Sequence, residues 1–404
     1  MSATPLRQVD VPPPVSPSVI GPVARAFVPF APPAIGTEEI EAVVDVLESG
    51  WLSTGPRVAA FEQAFAAYTG ARHAIALNSC TAALHLSLLA AGVGEGDEVV
   101  TTPLTFCATA NAIIHTGATP VFADVESTTG NIDPNAVAAA MSPRTRALLP
   151  VHYAGRPARM PELEALAAPG SLAIIEDAAH CVEGVSQGRK VGAIGAFTCF
   201  SFYATKNLTT GEGGMVTTSD DEAAALIRTT SLHGMSRAAW SRYAPGGRSE
   251  YDVLTAGFKY NMMDLQAAIG LAQLRRLQEH QDRRAAIWAA YDDALRGLPL
   301  TRPAPTAPGD VHARHLYTVL VDARTAGLTR DQLEDQLRAR GIATSRHFRA
   351  LHLHTFYRER YGFRRGQFPV AENISDTTLS LPLSAAMPAS AVDRVIEALH
   401  DIFR

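Results

Sequence analysis

The stretch FSFYATKNLTTGEGGM, Phe200 to Met215, holds one lysine between two kinds of chain. Upstream, "AFTCFSFYA" (196–204) reads as a strand buried along much of its length. Downstream, "TTGEGG" (209–214) has too many glycines to continue a strand or a helix. Lys206 therefore stands where a buried strand ends and a tight loop begins. Lysines usually keep the ammonium in water and are seldom fully buried without a partner. A lysine held partly desolvated at a strand end has a lowered pKa and can attack a carbonyl as a neutral amine. A solvated surface lysine fits the same stretch taken alone, so the neighbouring segments decide.

Outward from this stretch, from about Phe27 to Ser219, short apolar strands alternate with helices. "HAIAL" (73–77) precedes "TAALHLSLLAAG" (81–92), and "DEVVTTP" (97–103) precedes "TFCATANAIIHTG" (105–117). "TPVFADV" (119–125) leads to a helix opened by Pro134, and "PELEALAA" (161–168) lies between the strands "RALLPVHYAG" and "LAIIEDAAH". Repeated βα units with continuous apolar strands predict an α/β fold, a mostly parallel sheet between helices, with ligands beyond the strands' carboxyl ends. A long amphipathic helix is expected from about Met263 to Leu295, then a proline-rich connector, then a small α+β domain. The expected organisation is a flexible proline-rich tail over 1–26, a large domain over 27–270, and the long connecting helix with the small domain over 271–404.

Composition narrows the class. The 404 residues are 47% apolar and 19% charged, as in a globular protein with a sizeable core. A net charge of −5 with no basic block disfavours nucleic acid and anionic membranes as partners. Four scattered cysteines, with no CxxC pair and no zinc spacing, read as reduced residues of a cytoplasmic protein and predict no metal site. The N-terminal stretch lacks a signal peptide's apolar core, and no apolar run approaches a membrane span.

Three strand ends accompany Lys206. Asn78-Ser79-Cys80-Thr81 lies between a strand and a helix, where hydroxyls and amides can hold a phosphate or simply cap the helix. "IIEDAAH" ends a strand with Glu176 and Asp177, three residues before His180. A carboxylate there needs a cationic partner, which can be an arginine or the protonated ring nitrogen of a cofactor. Phe106, after the second strand, fits either the core or a face against a flat ring. A phosphate cradle, a buried carboxylate, an aromatic face and a partly buried lysine together suit pyridoxal 5′-phosphate (PLP).

The order NSCTAALHL, TPLTFCATANAI, PVFADV, NIDP, PVHYAG, IIEDAAH, SFYATKNLTTGEGG, HGM and GFKYNMMDLQAAIG resembles the DegT-type nucleotide-sugar aminotransferases, which are fold-type-I PLP enzymes. The resemblance runs from about Phe27 to the C-terminus. It implies that Lys206 forms the Schiff base, that Asp177 pairs with the pyridine nitrogen, and that His180 lies near the ring's 3-hydroxyl. It further implies that Ser201, Thr81 and the amide of Ala82 hold the phosphate and that Phe106 stacks on the ring. In such enzymes the "GxNYR" segment crosses a homodimer to the partner's phosphate, giving shared active sites. Here Lys259 occupies the asparagine position and Asn261 the arginine position, so either is a candidate; capping of the following helix is the other reading of Asn261.

The implied reaction moves an amino group from L-glutamate through the pyridoxamine form of the cofactor to a keto sugar. "GIATSRHFRALHLHTFYRERYG" (341–362) resembles members that aminate C4, with His347 and Arg349 as substrate-contact candidates. The expected substrate is therefore a dTDP- or UDP-linked 4-keto-6-deoxyhexose and the product a 4-amino-4,6-dideoxy sugar nucleotide. A 3-keto sugar or keto-inositol aminotransferase and a non-catalytic PLP-binding regulator are the alternatives. Retention of Lys206 disfavours the histidine-bearing dehydratases of this fold, and no GxGxxG follows the first strand to suggest a dehydrogenase.

Overall fold

The computed structural model describes residues 27–236 and 251–404; the expected proline-rich tail lies outside them. Two helices, α1 (Thr37–Ser49) and α2 (Pro56–Thr69), precede β1 (His73–Leu77). There follow α3 (Cys80–Ala90), β2 (Glu98–Thr101), α4 (Cys107–His115), β3 (Thr119–Phe122), α5 (Pro134–Ala140), β4 (Thr145–Leu149), α6 (Met160–Ala167) and β5 (Ala173–Asp177). A short hairpin of β6 (Val185–Ser186) and β7 (Arg189–Lys190) leads to β8 (Phe197–Ser201), β9 (Gly214–Thr218) and α7 (Asp221–Thr230). The main sheet runs β1-β9-β8-β5-β4-β2-β3, and only β9 is antiparallel to its neighbours. The fold is the mostly parallel α/β architecture that the strand–helix alternation predicts.

Alternate side chains of the central strands enter different cores, which is why these strands read as continuous apolar runs. Phe197 and Cys199 pack with Leu84, Val99 and Ile113 on the α3 face. Phe200 and Met215 pack with Phe61 and Phe65 of α2 on the other. In register, Leu77 and Ser201 both face Gly214, so the carboxyl ends of β1 and β8 meet the start of β9 in one row. A Cβ on Gly214 would lie 2.3 Å from the carbonyl carbon of Ser79, so the backbones approach too closely for any larger residue. Gly211, at φ +79°, turns the loop between β8 and β9.

The long helix expected from Met263 to Leu295 is two helices, α8 (Asp264–Arg275) and α9 (Leu277–Ala294), broken at Arg276 with φ −96° and ψ 3°. Each half serves a different core, so the chain must change direction between them. Ala267 of α8, with Leu277 at the junction, packs with Phe61, whereas Ile287, Trp288 and Tyr291 further along α9 pack in a second core with the antiparallel pair β10 (Tyr317–Leu320) and β11 (Thr378–Leu381). The C-terminal helix Ala389–Ile402 adds Val392, Val395 and Leu399 to that second core. Among the described residues no helix is long and apolar enough to cross a membrane.

Candidate active site

A cavity of about 610 Å³ opens at the carboxyl ends of β1, β5 and β8, within the usual size for a small-molecule site. Lys206, Asp177, His180, Thr81, Phe106, Ser201 and His347 all line it. A larger cavity, about 830 Å³, lies between α2 and α7 around Glu62, Arg228 and Asn261, and Lys206 is not part of its wall.

Lys206 lies within the loop 202–213 that returns β8 to β9. Its N–H donates to Tyr203 O (2.9 Å), and Phe202 bonds Gly213 and Thr210 across the loop neck, which holds the lysine at the cavity wall. Burial lowers the Lys206 pKa to about 8, against the opposing pull of Cys80 and Asp177. Relative to the ordinary 10.5, this moves the range in which the neutral amine dominates down to pH values above about 8. At pH 7 roughly one molecule in ten then carries the free amine, against roughly one in three thousand for an unperturbed lysine. The rate at which the apoprotein captures an aldehyde, followed by stopped-flow absorbance with PLP itself, should rise with pH and level off just above 8. A rate still climbing tenfold per unit between pH 9 and 10 would show that the amine is not depressed.

Asp177 ends β5 and, among the described residues, pairs with no arginine. Its Oδ2 accepts from Thr109 Oγ1 (2.7 Å) and its Oδ1 from the Ala179 N–H (3.1 Å). Burial raises its pKa, opposed by those two bonds and by the charges of Lys206 and His152. Glu176, its neighbour, faces away: His152 Nε2 (2.9 Å), Thr198 Oγ1 (2.6 Å) and the Gly195 N–H (2.8 Å) all reach its carboxylate. Of the two adjacent carboxylates only Asp177 reaches the cavity.

Three imidazoles surround the lysine. His180 and His315 sit with ring centroids 4.5 Å apart, and Phe348 stacks on His180 at 5.9 Å. Burial and the Lys206 charge hold both well below the ordinary histidine pKa, and His347 is pushed down to about 3. All three are neutral at pH 7. The Nδ1 of His180 is buried with no hydrogen-bond partner, an arrangement that a bound polar group would relieve.

Ser79 caps α3, its Oγ accepting from the Ala82 N–H at 3.1 Å. The Ala82 amide, expected to hold a phosphate, is bonded here to the Ser79 hydroxyl. Within the first turn the N–H groups of Cys80 and Thr81 have no intrahelical acceptor and remain for an anion. Phe106 is 61% exposed and lies in the cavity wall, which removes the core reading. Arg349 does not line the cavity; it is exposed and donates to Leu353 O (3.0 Å). Its place in the wall is taken by Arg346 and Phe348, and Arg346 is itself paired with Glu334 and Asp331.

Lys259 and Asn261 lie outside this chain's own cavity. Lys259 Nζ donates to Asn261 Oδ1 (2.5 Å) and Asn261 Nδ2 to Thr54 Oγ1 (2.7 Å), so Asn261 caps no helix. The capping carboxylate nearby is Asp264, which accepts from the N–H groups of Gly55, Arg57 and Val58 at the start of α2.

The residues fit PLP on two observations of this structure: the orphaned His180 Nδ1 in the cavity wall, which a polar ring substituent would satisfy, and the open N–H pair of α3, which would suit a phosphate. With a buried carboxylate for the ring nitrogen and an amine of depressed pKa, the fold and this cavity define a pyridoxal-phosphate-dependent enzyme. Residues 33–400 match the DegT/DnrJ/EryC1/StrS aminotransferase family, and the chain belongs to it. It is 52% identical over 380 residues to the spore coat polysaccharide biosynthesis protein SpsC of Bacillus subtilis (strain 168), covering 94% of this chain and 97% of that protein. It superposes on the PLP form of the putative sugar aminotransferase Spr1654 from Streptococcus pneumoniae with a TM-score of 0.87, at 32% identity and over 93% of this chain and 98% of that one. Helicobacter pylori PseC, an aminotransferase involved in pseudoaminic acid biosynthesis, superposes with a TM-score of 0.86 at 29% identity, over 94% and 99%.

Proposed function

We propose that this aminotransferase moves an amino group from L-glutamate to C4 of a dTDP- or UDP-linked 4-keto-6-deoxyhexose, giving a 4-amino-4,6-dideoxy sugar nucleotide. The observation that carries the reading is the meeting, in one cavity, of Lys206 with the 345–348 segment, the part of the chain that resembles C4-aminating enzymes. The names of SpsC and Spr1654, which speak of polysaccharide and sugar, support a sugar acceptor.

Bound PLP supplies an aldehyde that carries the amino group and a ring that takes up electrons when a carbon–hydrogen bond breaks. Lys206 is the amine that would hold that aldehyde and, when free, the base placed to move a proton in the cavity. Asp177 keeps the ring nitrogen protonated, and His180 Nδ1 meets the ring's 3-hydroxyl. Thr81, Ser201 and the N-terminus of α3 take the phosphate, while Phe106 covers the ring face. Substrate contact falls to His347, because Arg349 turns elsewhere.

A homodimer completes the site in this reading, with Lys259 or Asn261 of one subunit reaching the phosphate held by the other. The four cysteines are free thiols, which supports a cytoplasmic enzyme. The test is the PLP-loaded protein with glutamate against a panel of keto sugar nucleotides, with products scored by mass. The expected product is the 4-amino sugar nucleotide. Turnover only with 3-keto sugars or a keto-inositol would replace this substrate assignment. No turnover with any of them, with the cofactor held, would point to a regulator.

A further inference from the structure

Thr105 and Thr109 stand four residues apart where the "TPLTFCAT" segment enters α4, and both are buried. Their hydroxyls are 2.8 Å apart, and Thr109 Oγ1 is 2.7 Å from Asp177 Oδ2. An ionised carboxylate accepts only, so the Thr109 proton points at Asp177. Thr109 is then left to accept, which makes Thr105 the donor to it. The direction of the whole chain is thereby set: Thr105 O–H to Thr109, Thr109 O–H to Asp177. Aligned donors of this kind polarise one another and strengthen the last bond, the one on the anion.

Buried threonines inside helices often return their hydroxyls to a carbonyl of the preceding turn. Thr69, for example, does so to Phe65 O (3.0 Å). Thr109 instead spends its proton on a side chain 68 positions away, at the end of another element. Resting on the reading that Asp177 faces the cofactor's ring nitrogen, we propose that Thr109, itself held by Thr105, is the positioning residue for Asp177. It keeps the carboxylate ionised and aimed into the cavity, so that the proton shared with a bound ring nitrogen stays on the nitrogen.

The other titratable groups acting on this carboxylate are Lys206, His152, Cys80 and Cys199, and burial alone raises its affinity for a proton. Thr109→Val keeps the shape of the side chain and removes only the donor. Thr109→Ser keeps the donor.

The experiment is carbon-13 NMR of the full-length protein labelled at aspartate carboxyls, titrated with and without PLP. The Asp177 signal is identified by its absence in Asp177→Asn. A hydrogen bond to a charged group changes proton affinity by about tenfold or more, so Thr109→Val should raise the Asp177 titration midpoint by at least about one pH unit. Thr105→Val should raise it by less, Thr109→Ser should restore the wild-type value, and PLP should move the signal in wild type. An unchanged midpoint in Thr109→Val, or no rescue by serine, overturns the assignment of Thr109. A wild-type Asp177 signal indifferent to PLP, with Thr109→Val still shifting the midpoint, overturns the placement of Asp177 against the ring, and the role of Thr109 toward the cofactor with it.

Discussion

Lys206→Arg protein should hold PLP without the visible absorbance of the lysine-bound cofactor and should transaminate at least about 10⁴-fold more slowly than wild type. The substitution retains a cation at the end of β8, so the electrostatic balance with Asp177 is largely kept. What is lost is the amine. A guanidinium stays protonated at any pH the fold tolerates, whereas burial brings the lysine within reach of neutrality at about pH 8. Two functions depend on that one nitrogen, attachment of the cofactor and movement of the proton, and no other amine lines the cavity among the described residues. In Lys206→Ala, which empties the space, added methylamine should restore part of the rate. Wild-type rates in the arginine variant, measured spectrophotometrically after cofactor loading, would contradict this assignment.

The second large effect is expected between two inactive variants. Lys206→Ala should be dead for want of the amine, and the double variant Lys259→Ala with Asn261→Ala dead for want of the phosphate contact. Co-refolded in equal amounts, random pairing gives half heterodimers, each with one intact site, so about a quarter of wild-type activity should return. The structural motive is the position of the pair. Tyr260 O accepts from the Asn78 N–H (2.7 Å), which ties this segment to the chain entering α3. Lys259 and Asn261 nevertheless face away from their own chain's cavity. An ammonium or amide brought to a dianionic phosphate from a second copy would form a charge-assisted bond in a partly desolvated setting. Mixtures that stay inactive, with heterodimers confirmed by mass, would mean that each subunit builds its site alone.

Much of this was legible before any coordinates. The parallel sheet followed from apolar runs too continuous to have a wet face, and Lys206, Asp177 and His180 from strand ends, where such sheets bind ligands. What escaped depended on contacts between distant segments. Nothing local marks Thr109 as a partner of Asp177, or His315 as a neighbour of His180, because the chain separation is 68 residues in the first case and 135 in the second. A basic segment shows its charge but not its direction: Arg346, His347 and Phe348 line the cavity and Arg349 does not. At Ala82 the segment allows both N-capping and phosphate binding, and the structure shows the cap, from Ser79. The break at Arg276 was invisible to periodicity, because no glycine or proline marks it and the two helices differ in the core they face.

The most direct test of the account is where the cofactor attaches. Purified protein loaded with PLP is reduced with borohydride, digested, and the pyridoxyl-bearing peptide sequenced by mass spectrometry. The label should fall on one residue, Lys206, in the peptide running through "SFYATK", and be absent from Lys190 and Lys259. A label on any other lysine, or none on a protein shown to retain stoichiometric PLP, would contradict the account.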